Sequence, residues 1–357
     1  MPSRSFLSAA VGAAAALCLA APAAAVSQEQ EEGGAPEEFT ISDPRITEAS
    51  GLVASGLHPG VYWTHNDQDV APNLYAVDSA TGETVATVTL AGVTGRDMEA
   101  ISRGPDGALY VGDIGDNDGV EWPEVWIYRL PEPEELADAT VTPEVFTVRY
   151  ADGPRDAEAL MVHPGTGRVW IADKQDDGTG ALYAGPEELS ASGVNVFEPV
   201  ADIDLWVTDG AFSPDGSRLM LRGYFTTQMY RWRGDGEDPE PLAQRIVPRG
   251  PTQGEAVAFS PDGRTLLFGG EGAGSEVEPA PLTGQTRPDS VAAEDEAAEE
   301  TPPGREDGRE GRDRAEAGSG DGGGDGEGGV SVTVTTAVIL AAVVVLGARS
   351  LRRRRSS

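Results

Sequence analysis

Ala211-Phe212-Ser213-Pro214-Asp215-Gly216 and, farther along, Ala258-Phe259-Ser260-Pro261-Asp262-Gly263 are two near-identical stretches of one chain. In each, an apolar run stops at a serine, proline presets the turn backbone, and Asp-Gly accepts the positive φ that a tight hairpin requires. Looser copies stand at His58-Pro59-Gly60, Gly104-Pro105-Asp106-Gly107 and His163-Pro164-Gly165. The five prolines are 46, 59, 50 and 47 residues apart. A turn recurring at such a period marks a repeat architecture.

Two further registers keep step with the turns. A strand-forming run follows each one: Val61-Tyr62-Trp63, Leu109-Tyr110-Val111, Val169-Trp170-Ile171, Leu219-Met220-Leu221 and Leu266-Leu267-Phe268. Later in each copy comes an apolar residue plus tyrosine, at Leu74-Tyr75, Ile127-Tyr128, Leu182-Tyr183 and Met229-Tyr230, with Ser275-Glu276-Val277 as a weak fifth. A short apolar strand precedes each turn, as at Ala256 to Phe259, and a fourth follows each third, such as Thr84 to Leu90 or Val145 to Tyr150. Four short antiparallel strands cannot cover both of their own faces, but copies packed radially can. The expected fold is therefore all-β, a five-bladed β-propeller of four-stranded blades over 38–282, with six blades as the alternative. The last copy runs out after its third strand, so the orphan Phe39-Thr40-Ile41 is expected to complete it. A helical pattern suggests itself in this region only around Pro133 to Ala137.

The ends have a different character. Arg4, the apolar stretch Ala9 to Ala20 and the small residues Ala23-Ala24-Ala25 describe an export signal over 1–25. A polar leader over 26–37 follows, and 283–329 is too acidic and glycine-rich to bury a core, which reads as a disordered stalk. Residues 330–348 are uncharged, mostly apolar and long enough for one transmembrane helix, and the arginine-rich 349–357 reads as a cytoplasmic tail. The expected location is a bacterial cell membrane, crossed once, with the propeller outside. Cys18 is the only cysteine and falls in the signal, so no disulfide is expected in the exported part.

Lys and Arg total 26 against 60 Asp and Glu, a net charge of -34, and this argues against nucleic acid as a partner. Lys174 is the sole lysine. A Gly-x-Ser-x-Gly elbow, a His-Glu-x-x-His zinc motif and a phosphate-cradling loop are all missing from the sequence.

Phe212 to Gly216 and Phe259 to Gly263 resemble the repeats of WD40-like, TolB-type and related bacterial propellers, although no Trp-Asp dipeptide closes any strand. Thr64-His65-Asn66-Asp67, Gly112-Asp113-Ile114-Gly115-Asp116-Asn117 and Asp156-Ala157-Glu158-Ala159 look like a family of exported, membrane-anchored bacterial propeller proteins. The resemblance covers about 38–282 and implies fold and location; it implies no activity, because propellers host enzymes and binding modules alike.

An acidic motif recurs ahead of the first strands: Glu48-Ala49-Ser50-Gly51, Asp97-Met98-Glu99-Ala100, Asp156-Ala157-Glu158-Ala159 and Gln253-Gly254-Glu255-Ala256, with Thr208-Asp209-Gly210-Ala211 as a degenerate copy. First strands are innermost in a propeller, and loops joining second to third strands open on the same face as these motifs. Those loops hold His65-Asn66-Asp67, Asp113 to Asn117, Asp173-Lys174 and Arg222-Gly223-Tyr224. The expected ligand-binding set is therefore Asn66, Asp67, Asp97, Glu99, Asp113, Asp116, Asn117, Asp156, Glu158, Asp173 and Glu255 at one mouth. Calcium wants six to eight such oxygens, and Asp97, Glu99, Asp156 and Glu158 are the candidate ligands. The bland alternative is that these carboxylates cap backbone amides of neighbouring blades. His58 and His163 read as turn residues, Trp63, Trp126, Trp170 and Trp232 as packing between blades, and Trp122 as a candidate exposed contact. The functional expectation is a monomeric surface module binding an extracellular protein, glycan or small molecule. The alternatives are a calcium-dependent hydrolase of phosphoesters or lactones and an architectural surface protein.

Overall fold

The computed structural model describes residues 36–67, 71–117, 119–175, 178–249 and 253–300. The signal segment, nearly all of the leader, the stalk beyond 300, the apolar 330–348 and the basic tail lie outside them. Among the described residues no helix is long and apolar enough to cross a membrane.

After β1 (Phe39–Thr40) the chain forms a meander of β2 (Ala49–Ala54), β3 (Val61–Asn66), β4 (Asn73–Asp78) and β5 (Thr84–Leu90). The next comprises β6 (Met98–Arg103), β7 (Ala108–Asp113) and β8 (Val125–Pro131), then a short β9 (Ala139–Val141) and β10 (Glu144–Tyr150). A third runs through β11 (Ala157–Val162), β12 (Val169–Asp173), β13 (Gly180–Ala184) and β14 (Val194–Ile203). A fourth holds β15 (Val207–Phe212), β16 (Arg218–Gly223), β17 (Thr227–Arg231) and β18 (Glu240–Pro241). The last is β19 (Gly254–Phe259), β20 (Thr265–Gly270) and β21 (Glu276–Pro281). β1 pairs antiparallel with β21, Phe39 opposite Val277, so the N-terminal strand supplies the fourth strand of the last meander.

The turns between first and second strands have the expected chemistry. Gly216 and Gly263 carry φ of 73° and 69°, and the Ser213 and Ser260 hydroxyls donate to Asp215 and Asp262 at 2.6 and 2.5 Å.

The first strands neighbour one another in a cycle: β2 beside β6, β6 beside β11, β11 beside β15, β15 beside β19, and β19 beside β2. The buried apolar side chains divide the same way. Trp63, Leu74, Leu109 and Leu130 fill the space between the β2 and β6 meanders, and Ile127, Leu160, Tyr183 and Phe197 the next. Met161, Leu182, Val207 and Leu219 come third, Met220, Val257, Leu266 and Phe268 fourth. Phe39, Tyr62, Val77, Leu267 and Val277 close the circuit. Each sheet is buried on both faces by its neighbours, which is the propeller-like solution. At the outside, β9 adds in parallel to β5 and β10 to β14, joining consecutive meanders at their edges.

Two expectations need correction. Residues 132–137 form bends rather than a helix, because Glu132 is pulled in to accept from Ser55 Oγ, the Gly56 amide and Trp63 Nε1. The segment from 283 to 300 is not an extended stalk: a 3-10 turn at Gly284–Thr286 leads to helix α1 (Asp289–Glu300). The helix docks on the hairpin turns, where Asp289 and Ser290 amides donate to Ser217 Oγ and Asp215 Oδ2, both at 2.9 Å. Arg264 of the β19–β20 turn and Arg287 just ahead of the helix hold Asp295 at 2.8 Å each, and Arg218 of β16 reaches Asp289 at 2.8 Å, so an acidic segment with little helical amphipathicity is ordered by charge.

Candidate functional site

Each first strand carries an irregularity at one level. Pairing in β6 jumps from Met98↔Asp113 to Ala100↔Gly112, leaving Glu99 as the extra residue. The same shift leaves Glu158 in β11, Glu255 in β19 and Thr208 in β15. In β2 it spans Gly51 and Leu52. A β-bulge bends the strand and re-aims one side chain. Because these first strands neighbour one another, repetition of the bulge brings Glu99, Glu158 and Glu255 within electrostatic reach, and they are 2%, 3% and 7% exposed.

The ends of the second strands reach the same carboxylates. Asp67, after β3, approaches Asp97 and Glu99, and one carboxylate oxygen from each of the three lies within 4.8 Å of the others. Lys174, after β12, forms an ion pair with Glu158; its Nζ is 3.9 Å from Asp156 and 5.8 Å from the Tyr224 ring. Gly115 passes directly over the trio: a Cβ there would sit 2.6 Å from both Asp97 Oδ2 and Glu99 Oε1.

Crowded acids in a sheltered site do not all ionise. At about 5 Å, two full charges repel by about 3 kcal/mol even with an effective dielectric of about 20. Burial, then the charges of Asp97 and Glu158, push Asp67 up to about 8. Burial, then Glu158, Asp67 and Asp97, hold Glu99 well above the usual carboxylate range. Glu255 is pushed up to about 9 by burial and then by Glu158. Burial also raises Glu158, to about 7, with the Lys174 ammonium opposing it. These carboxylates cluster around the Lys174 ammonium, with the Arg222 guanidinium within electrostatic reach of Glu255.

The remaining expected residues brace the loops. Asn66 Oδ1 accepts from the Thr47 and Glu48 amides at 3.0 and 3.1 Å, and Asp113 does the same for Arg96 and Asp97 at 3.1 and 2.7 Å. Asp156 accepts from the Asp116 amide at 2.8 Å, and Asp116 from the Trp122 amide at 2.7 Å. Asp173 is fully buried against the Ala181 amide at 2.5 Å, and burial raises it to about 6. Asn117 reaches the ring, donating to Glu99 Oε1 at 3.4 Å. The four carboxylates named for calcium thus separate: Asp97 and Glu99 join Asp67, whereas Asp156 and Glu158 face Lys174. Trp122 lies against Arg96 with the guanidinium carbon 3.3 Å from the ring centroid, and Trp63, Trp170 and Trp232 are buried. His163 Nδ1 accepts from the Gly165 and Thr166 amides at 3.2 Å, the turn role expected of it.

Sequence reasoning placed Thr208 only in a degenerate copy of the acidic motif, without giving it the bulge position, and missed Glu271. Thr208 stands six positions ahead of its turn proline, as Glu99, Glu158 and Glu255 do ahead of theirs, so spacing identifies it as the ring position. Asp209, one residue on, turns away to accept from the Val257 amide at 2.7 Å. Glu271 follows β20 as Lys174 follows β12, and its charge reaches Glu255.

No family model matches the chain, and no curated protein matches it. Among solved structures, a chain of the mitotic checkpoint complex aligns at 15% identity over 65% of this chain, with a TM-score of 0.36. The match spans 63% of that chain, less than two thirds of its length. U3-55K aligns at 12% identity over 69% of this chain and 100% of its own, with a TM-score of 0.38. The hydrazine synthase of Kuenenia stuttgartiensis aligns at 12% identity over 62% of this chain and 61% of its own, with a TM-score of 0.36.

Proposed function

We propose that this chain is a five-bladed β-propeller, exported and tethered to the outer face of a bacterial membrane, that binds a cationic ligand in its acidic mouth. The blade count rests on the cycle of β2, β6, β11, β15 and β19; export and tethering rest on the residues of the two ends. One observation carries the binding reading. Asp67, Asp97, Glu99, Glu158 and Glu255, supplied by four different meanders, lie within electrostatic reach of one another and of the Lys174 ammonium. Negative charge so concentrated is balanced either by protons or by a cation, and a cation that displaces the protons gains their place. Isothermal titration with spermidine and with calcium tests this at pH 8. Saturable binding, weakened at least tenfold by Glu99→Gln and by Glu158→Gln, is the expected result; affinity unchanged in both variants overturns it.

The tight trio favours a second reading, in which Asp67, Asp97 and Glu99 hold a hard divalent cation such as calcium. Asn117, backbone carbonyls and water would complete its shell of six to eight oxygens. An ion there that also polarises a water would hydrolyse phosphoesters or lactones. Turnover of a phosphomonoester or a lactone, abolished by chelator and restored by calcium, identifies this reading; lack of turnover with calcium bound removes the hydrolase.

A further inference from the structure

Among the described residues, Phe225 and Val247 are the most exposed large apolar side chains, at 74% and 73%. Phe225 lies in the loop between β16 and β17, and Val247 in the connection from β18 to β19; both connections open on the face of the acidic ring. Thr227 Oγ1 donates to the Ile246 carbonyl and Arg245 Nη1 to the Thr227 carbonyl at 3.4 Å, so the two segments run side by side. Tyr224 joins them to the ring: its centroid is 6.3 Å from that of Phe225, 5.2 Å from that of Trp206, and 5.8 Å from Lys174 Nζ. Isolated exposed leucines or valines are ordinary, but an exposed phenylalanine beside aromatics at a charged mouth has the make-up of an interaction hot spot.

We propose that this rim docks a polypeptide segment that sets an arginine or lysine beside an aromatic or aliphatic residue. The basic group enters the acidic mouth and its apolar neighbour covers Phe225 and Val247. Charge complementarity selects this occupant. A second copy of a chain with net charge -34 would bring like charge to the ring, and a bare metal ion would leave both apolar side chains facing water. Tyr224 and Trp206 add ring faces on which a guanidinium can lie. The inference rests on the cation-binding reading of the mouth and names the partner of that same site.

The test titrates the full-length chain with three probes: the capped peptide Arg-Trp-Arg-Trp, the capped peptide Arg-Gly-Arg-Gly, and calcium. The expected result is that Arg-Trp-Arg-Trp binds roughly tenfold more tightly than Arg-Gly-Arg-Gly, and that Phe225→Ala and Val247→Ala erase this advantage. Both positions face solvent, so melting temperature stays at the wild-type value, and calcium affinity stays as well. If Arg-Trp-Arg-Trp fails to bind, or binds Phe225→Ala as it binds wild type, the docking surface is overturned while carboxylate-dependent calcium binding still stands. If no probe depends on Glu99 or Glu158, the reading of the mouth itself has failed and the docking inference falls with it.

Discussion

Glu255 shows what placement in the ring does to one side chain. In the unfolded chain it titrates as an ordinary glutamate, near ~4.3. In the fold, burial and the neighbouring Glu158 push it up to about 9. Between those values the folded state holds a proton that the unfolded state has lost, so this contribution is full below the ordinary value and is lost as pH rises through about 9. Replacing Glu255 by glutamine keeps an oxygen for the Gln253 amide, which donates at 2.8 Å, and removes the charge. Glu255→Gln is therefore expected to be more stable than wild type at pH 9 and near neutral at pH 5, as read by urea denaturation at both values. Gly115 gives a complementary test. Its missing Cβ leaves room for Asp97 and Glu99, so Gly115→Ala should force both carboxylates aside at a cost of about 1–3 kcal/mol, measurable in the same denaturation experiment together with weaker calcium binding.

At the scale of the element, the bulge places a ring side chain, six residues ahead of the turn proline in β6, β11, β15 and β19. Thr208 occupies that position in β15, its hydroxyl donating to the Gly254 carbonyl at 2.7 Å. Thr208→Glu would add another carboxylate to the mouth. The expected outcome is a lower melting temperature at pH 8 without added cation, recovered by millimolar calcium; an unchanged melting temperature would show that the position does not face the ring. β1 carries a different burden, because it closes the circuit. Phe39 is buried against Tyr62 at 5.7 Å between centroids, and Phe39→Ala is expected to cost about 3–5 kcal/mol, more than its two-residue strand would suggest.

Elements also show what a sequence reader can and cannot see. The hairpin turns and second strands were legible because Pro-Asp-Gly and β-branched runs are local chemistry. β21 was faint: Pro279 and Pro281 weaken any strand pattern, and it forms because Leu267 and Thr265 face those prolines across the ladder. Helix α1 was illegible because three of the arginines that hold it, Arg218, Arg231 and Arg264, are distant from it in sequence. Of the site, the acidic positions could be read from their recurrence. Their division into an Asp67, Asp97 and Glu99 trio and a Glu158 and Lys174 pair could not, because it depends on which loop ends lean over which bulge.

For the whole molecule, two sets of carboxylates set the pH response in opposite senses. Asp43 is held down to about 2, chiefly by its hydrogen bond with the Arg45 guanidinium, so its contribution is present above the ordinary aspartate value and lost as pH falls through about 2. The ring acts at the other end: Glu158, Asp67 and Glu255, raised to about 7, about 8 and about 9, withdraw stability as pH climbs through those values. Wild-type melting temperature should fall between pH 6 and pH 9, and calcium or spermidine should restore it increasingly over that span; a flat profile in a thermal scan would contradict the assigned proton sharing.

A cation that enters the acidic ring must expel protons held by its raised carboxylates. Calorimetric titration at pH 7 in two buffers of different ionisation enthalpy counts the protons that leave as calcium or spermidine enters. Net release of protons, diminished in Glu99→Gln, is the expected result; binding with no proton release, or with release unchanged in that variant, would show that the ring carboxylates do not exchange protons for the cation.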